Sequence, residues 1–220
     1  HAIDSFYKGR PLGGIGHLGC FSFHETKNIH CGEGGMLVIN DERFIDRAEI
    51  IWEKGTNRSQ FFRGEVNKYG WLDTGSSFLA SDLSAACLCA QLESLVTIQE
   101  KRKDLWMAYE LAFRETNTID RIRLPLIPDF ATNNAHNFYI LVNSQQCRDR
   151  IISSLKREGY HATFHYLSLN RSEYYLSANS YTSMPNAERF ESLLVRMPFY
   201  VELEHEQAGK VAEIVGKAVC

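Results

Sequence analysis

The feature that most constrains this chain is the run Gly19-Cys20-Phe21-Ser22-Phe23-His24, which alternates like a strand and then breaks at Glu25-Thr26-Lys27-Asn28. Alternation with period two sends successive side chains to opposite faces, so residues 20–24 read as a half-buried strand that delivers a lone lysine into a polar turn. The cluster Gly32-Glu33-Gly34-Gly35 follows, and residues 35–40 read as a second, apolar strand ending at the turn and helix-cap signal Asn40-Asp41.

The rest of the chain divides around proline and glycine. Residues 1–19 read as irregular, punctuated by Gly9, Pro11, Gly13, Gly14, Gly16 and Gly19. Asp41 to Glu53 is helical by pattern, with Phe44, Ile45, Ala48, Ile51 and Trp52 on one face. Residues 54–78 read as a long polar loop, functional or disordered by its length; Phe61, Phe62, Tyr69, Trp71 and Phe78 argue against disorder. Ser81 caps a long helix whose stripe of Leu83, Ala86, Cys87, Ala90, Leu92 and Leu95 continues to about Phe113. Beyond Pro125 and Pro128 the pattern gives a strand (138–142), a helix (147–158), a strand (162–166) and a polar loop. A helix (186–194), an extended piece (195–198) and a final helix (204–218) complete an α+β unit.

A net charge of −3 over 220 residues supplies no basic field for nucleic acid or a membrane surface. No apolar run is long enough to span a bilayer, and the first residues carry no signal-peptide pattern. The six cysteines (Cys20, Cys31, Cys87, Cys89, Cys147 and Cys220) form no regular framework, and several sit in apolar runs. Free thiols in a reducing cytoplasm are the expected state.

A lysine in a turn is ordinarily just solvated. The company of Lys27 gives it a second reading. Ser22 could hydrogen-bond a phosphate oxygen at the strand's end, the glycines at 32, 34 and 35 permit close backbone approach, and the site lies at the carboxyl end of a strand. A lysine so placed can form a Schiff base with a carbonyl compound or with pyridoxal phosphate. The loop from Lys54 to Gly64 combines cations, amides and aromatics; it is either a solvated loop or a site where Arg58 and Arg63 meet a pyrophosphate and an aromatic stacks on a base. Gly14-Ile15-Gly16-His17-Leu18-Gly19 fits a dinucleotide fingerprint, but a strand follows it where a helix is required. Cys20, His24, His30 and Cys31 match no usual zinc spacing, so no metal is expected. His136, His161 and His165 read first as core or surface histidines.

Residues 16–29, 32–41, 47–64, 68–78, 81–93, 134–140 and 163–169 resemble the DegT/DnrJ/EryC1/StrS sugar aminotransferases, and the likeness runs through essentially the whole chain. The lysine motif together with Gly55-Thr56-Asn57-Arg58-Ser59-Gln60-Phe61-Phe62-Arg63-Gly64 is the specific signal. The resemblance implies an α/β protein of the pyridoxal-phosphate transferase fold type I: the C-terminal part of a large domain over 1–104 and a small α+β domain over 105–220. It implies that Lys27 carries the cofactor, that Ser22 contacts its phosphate, and that His1 and Asn28 lie near it. The loop around Ser76 and Ser77 would also contact cofactor, with Ser77 reaching a neighbouring subunit's site in a homodimer. Arg58, Arg63, His24 and His165 would bind substrate. The implied reaction moves an amino group from glutamate, leaving 2-oxoglutarate, to C4 of a dTDP-linked 4-keto-6-deoxyhexose for cell-surface polysaccharide. The resemblance also implies N-terminal truncation, because the family's aspartate for the pyridinium nitrogen lies three residues before the position of His1. A non-catalytic fragment and a nucleotide-sugar-binding module are the competing expectations.

Overall fold

The computed structural model describes residues 1–116 and 119–219. They form two compact units, His1–Thr97 with Asp129–Asn134, and Ile98–Pro128 with Ala135–Cys220. The division falls seven residues before the expected 104/105 boundary, and a short later segment returns to the first unit. Backbone pairing explains the return. Phe6 N donates to Thr132 Oγ1 at 2.8 Å, Lys8 N donates to Phe130 O at 2.7 Å, and Tyr7 bridges Ala131.

In the first unit, the stretch expected to be irregular contains a small hairpin of β1 (Phe6–Tyr7) and β2 (Arg10–Pro11). Its two turn residues, Lys8 (φ 47°) and Gly9 (φ 74°), both take the left-handed conformation of a tight hairpin turn. Lysine is a poor signal for that geometry, so the sequence hid it. β3 (Leu18–Ser22) pairs antiparallel with β4 (Gly35–Ile39), in register from Leu18↔Ile39 to Ser22↔Gly35. Asp41 then caps a short 3-10 turn by accepting from Arg43 N at 3.0 Å, which leads into α1 (Ile45–Trp52).

The long loop after α1 is ordered by its own backbone. It contains α2 (Arg58–Phe62) and is tied across by bridges Glu53↔Ser77 and Thr56↔Trp71. Gly55 (φ 77°) is required there, since a Cβ would sit 1.8 Å from Asp73 O. The single long helix expected from Ser81 is two: α3 (Asp82–Glu93) and α4 (Leu95–Glu115). Ser81 does cap α3, accepting from Ser84 N at 3.2 Å. The stripe on α3 faces no core among the described residues: the helix has no buried residue, and Leu83 is 85% exposed.

The second unit holds the main core. α4 contributes Leu105, Tyr109 and Phe113; β5 (Tyr139–Leu141) contributes Ile140; α5 (Gln145–Arg157) contributes Ile151 and Leu155. β6 (Thr163–Phe164) and β7 (Leu194–Arg196) complete an antiparallel sheet in the order β5-β7-β6. α8 (His205–Ala218) buries Val211 and Val215. Between β6 and β7 lie α6 (Glu173–Ala178), inside the expected polar loop, and α7 (Pro185–Leu193). Glu188 organises that stretch, accepting from Asn170 Nδ2, Tyr181 OH and Met184 N at 2.8–3.0 Å. Among the described residues no helix is long and apolar enough to cross a membrane.

Candidate active site

β3 ends at Ser22, but hydrogen bonding continues past it. Phe23 N donates to Gly34 O (2.8 Å), Glu25 N to Gly32 O (2.7 Å) and Cys31 N to Phe23 O (2.9 Å), so residues 23–34 form a closed loop. Phe23 and Ile29 anchor it, each under 5% exposed. Within it, Lys27 N donates to His24 O at 2.9 Å and makes a tight turn. The alternating strand thus presents Lys27 on a rigid turn between antiparallel strands.

Lys27 Nζ meets the imidazole Nε2 of His1 in a short hydrogen bond. Two asparagines fasten this arrangement. Asn28 is 4% exposed and donates from Nδ2 to Asn134 O at 2.7 Å. Asn134 Nδ2 donates to His1 O at 2.5 Å and to Ile3 O at 3.1 Å. His1, Ile3, Phe21, Ser22, Lys27 and Asn28 line one concavity. Ser22 Oγ accepts from His24 N at 3.4 Å.

The other candidates are held differently. His24 closes the turn with both ring nitrogens: Nδ1 accepts from Thr26 N at 3.1 Å, and Nε2 lies 3.4 Å from Glu33 Oε1. Arg63 is clamped by Glu49 (2.6 and 2.8 Å) and Glu65 (2.7 Å). Hydrogen bonding from Arg63 holds the Glu49 carboxyl below its ordinary range against a smaller opposing effect of burial. Arg58 is looser, with Nη1 3.6 Å from Glu53 Oε1 and its guanidinium over the Phe62 ring at 4.9 Å. Ser77 lies on the bridge to Glu53 at the loop's far end. His165 belongs to the second unit; burial and then the Arg196 charge push its pKa down.

The glycines serve the loop more than a ligand. Gly32 takes φ 81°, and a Cβ on Gly34 would meet Cys31 Sγ at 2.6 Å. The dinucleotide fingerprint has the same kind of explanation: a Cβ on Gly19 would meet Gly13 O at 2.3 Å, so that glycine lets two backbone segments touch. Asn134 is the site residue that sequence reasoning missed. It lies more than a hundred positions from Lys27, and only its place in the matching segment 134–140 marked it.

Residues 1–216 match the DegT/DnrJ/EryC1/StrS aminotransferase family. The chain is 26% identical over 219 residues to a UDP-4-amino-4,6-dideoxy-N-acetyl-beta-L-altrosamine transaminase of Helicobacter pylori, covering 99% of this chain and 56% of that one. Its fold matches a sugar aminotransferase, Spr1654, from Streptococcus pneumoniae in its PMP form, with a TM-score of 0.88, 23% identity, and coverage of 99% of this chain and 57% of that one. It also matches Helicobacter pylori PseC, an aminotransferase of pseudoaminic acid biosynthesis, with a TM-score of 0.87, 24% identity, and coverage of 100% and 57%. The chain therefore spans about half the length of the relatives it matches.

Proposed function

The chain belongs to the DegT/DnrJ/EryC1/StrS aminotransferase family, and from that membership we propose that it carries the lysine-bearing part of a nucleotide-sugar aminotransferase. The family depends on pyridoxal phosphate, and solved neighbours include PLP and PMP forms. The fold is that of the type I pyridoxal-phosphate transferases. The observation that carries the reading is Lys27 Nζ held by His1 in the concavity that also contains Ser22.

The residues present fit that cofactor. Lys27 offers a primary amine, Ser22 a hydroxyl proton for a phosphate oxygen, and His1 a flat ring beside both. Pyridoxal phosphate, when bound, supplies an aldehyde carbon that takes up an amine and a ring that accepts electrons from the neighbouring carbon. Lys27 would hold it through Nζ. When Nζ is free, Lys27 would take a proton from the amine-bearing substrate carbon and return it later. His1 Nε2 orients Nζ for that transfer. Asn28 and Asn134 keep the two apart from loop motion.

The donor we propose is glutamate, released as 2-oxoglutarate. The proposed acceptor is C4 of a dTDP-linked 4-keto-6-deoxyhexose, giving a dTDP-4-amino-4,6-dideoxygalactose type of product. Arg58 would face its diphosphate. Arg63 would join only by exchanging a carboxylate partner, so its first role is to hold the loop. His24 and His165 complete the proposed substrate set, and the Ser77 loop would serve a second subunit of a cytoplasmic homodimer.

Single-turnover formation of 2-oxoglutarate tests the reading. Protein with cofactor on Lys27 should convert glutamate, and Lys27→Ala should lose about 10²- to 10⁴-fold in rate. Amination of dTDP- and UDP-linked keto sugars then separates the two nucleotides. Cofactor bound at Lys27 without any 2-oxoglutarate would contradict transfer and leave a binding module.

A further inference from the structure

We propose that Cys31 and Cys87 form a reversible disulfide that fastens the Lys27 loop to α3 when the protein meets a peroxide. This is independent of the transferase reading. Cys87 Sγ lies 3.9 Å from the carbonyl oxygen of His30, the residue bonded directly to Cys31. The thiol of α3 therefore already rests against the backbone at Cys31.

The two thiols are suited to different steps. Cys87 is exposed and can meet an oxidant first, while Cys31 is half-buried. Cys31 Sγ is directed at Glu33 O, 3.4 Å away. Burial, then the neighbouring Cys87, then Glu33 push its pKa up. The order of events follows. The Cys87 thiolate attacks one peroxide oxygen, the O–O bond breaks, and the departing hydroxide leaves as water after taking up a proton. Cys87 is then a sulfenic acid. Cys31 sulfur attacks Cys87 sulfur, the S–O bond breaks, and the Cys31 proton departs with the hydroxyl as a second water. Two thiols are oxidised and one peroxide is reduced.

The other described thiols are placed elsewhere. Cys89 is two positions further along α3, about 200° around the helix, with its sulfur 3.8 Å from Glu93 Oε1. Cys20 pairs across the ladder with Leu37, and Cys147 is buried in the second unit. A link between 31 and 87 would close the polypeptide from just beyond Lys27 to the middle of α3. That limits the loop's motion until a thiol reductant releases it.

The test is to treat the folded protein with hydrogen peroxide, block free thiols with N-ethylmaleimide and digest with trypsin without reduction. Residues 28–43 should be recovered joined to residues 69–101, with fragment ions placing the link on Cys87. The melting temperature should rise by roughly 5 °C and fall back with dithiothreitol. Cys31→Ser and Cys87→Ser should each abolish both effects, and Cys89→Ser neither. A link on Cys89 or Cys20 would overturn the proposal. So would a sulfinic Cys87 with no cross-link, or recovery of both thiols as maleimide adducts, in protein whose circular dichroism is unchanged.

Discussion

Asn28 does more for Lys27 than its place beside it suggests. Its buried amide is the link through which Asn134 holds His1 against the lysine. Asn28→Ala leaves the Asn134 carbonyl oxygen without that donor, a loss of about 1–3 kcal/mol. The expected results are a lower denaturation midpoint and a slower reaction of Lys27 with an aldehyde probe, relative to the surface Lys101. A second residue-scale consequence concerns the clamp on Arg63. The Arg63 hydrogen bond holds the Glu49 carboxyl below the ordinary glutamate range. A carboxyl depressed by folding stabilises the native state above its unfolded pKa. That contribution is lost as pH falls below about 4.5 through the folded value. Protection of amides in residues 56–65, measured against their intrinsic exchange rates, should therefore fall across that acidic window, and Arg63→Gln should lower protection at neutral pH and flatten the profile.

Two helices have opposite weight, and the more apolar of them is the exposed one. Leu155 on α5 is fully buried, whereas Leu83 on α3 is 85% exposed. Leu155→Ala should cost about 2–5 kcal/mol, and Leu83→Ser should stay within about 0.5 kcal/mol; chemical denaturation measures both. This contrast also marks the limit of what periodicity reveals. The pattern places β4, α1, α5, α7 and α8 within a few residues, because each alternates or repeats strongly and is bounded by a cap or a proline. It cannot say whether a stripe finds a partner, and the stripe of α3 meets no core among the described residues. It misses β1 and β2, whose turn depends on a lysine with positive φ, and the break at Ser94, which a single hydrogen-bonded turn produces. At the site, the local cluster of Ser22, Lys27 and Asn28 is legible because one strand and one turn carry it. The engagement of His24 and Arg63 is not, because their partners Glu33 and Glu49 are ordinary charges until the loops close.

The two units differ in how they are stabilised. Apolar burial is concentrated in the second, where α4, α5, α8 and the three-stranded sheet share one core. In the first, Phe23 and Ile29 are the buried apolar anchors among the described residues, alongside buried polar groups such as Asn28 and Glu53. Protection against hydrogen exchange scales with such packing. Amides of α5 and α8 should be the last to exchange, and those of β3 and β4 should exchange through a lower-energy opening. Equal protection in both units would contradict this division. The central claim is that Lys27 is the amine that holds the cofactor. The direct measurement is to incubate the chain with pyridoxal phosphate, reduce with borohydride and locate the modified peptide by mass spectrometry. Label concentrated on Lys27, and lost in Lys27→Ala, is the expected result. Label spread evenly over surface lysines, with Lys27 unmodified, would contradict the account.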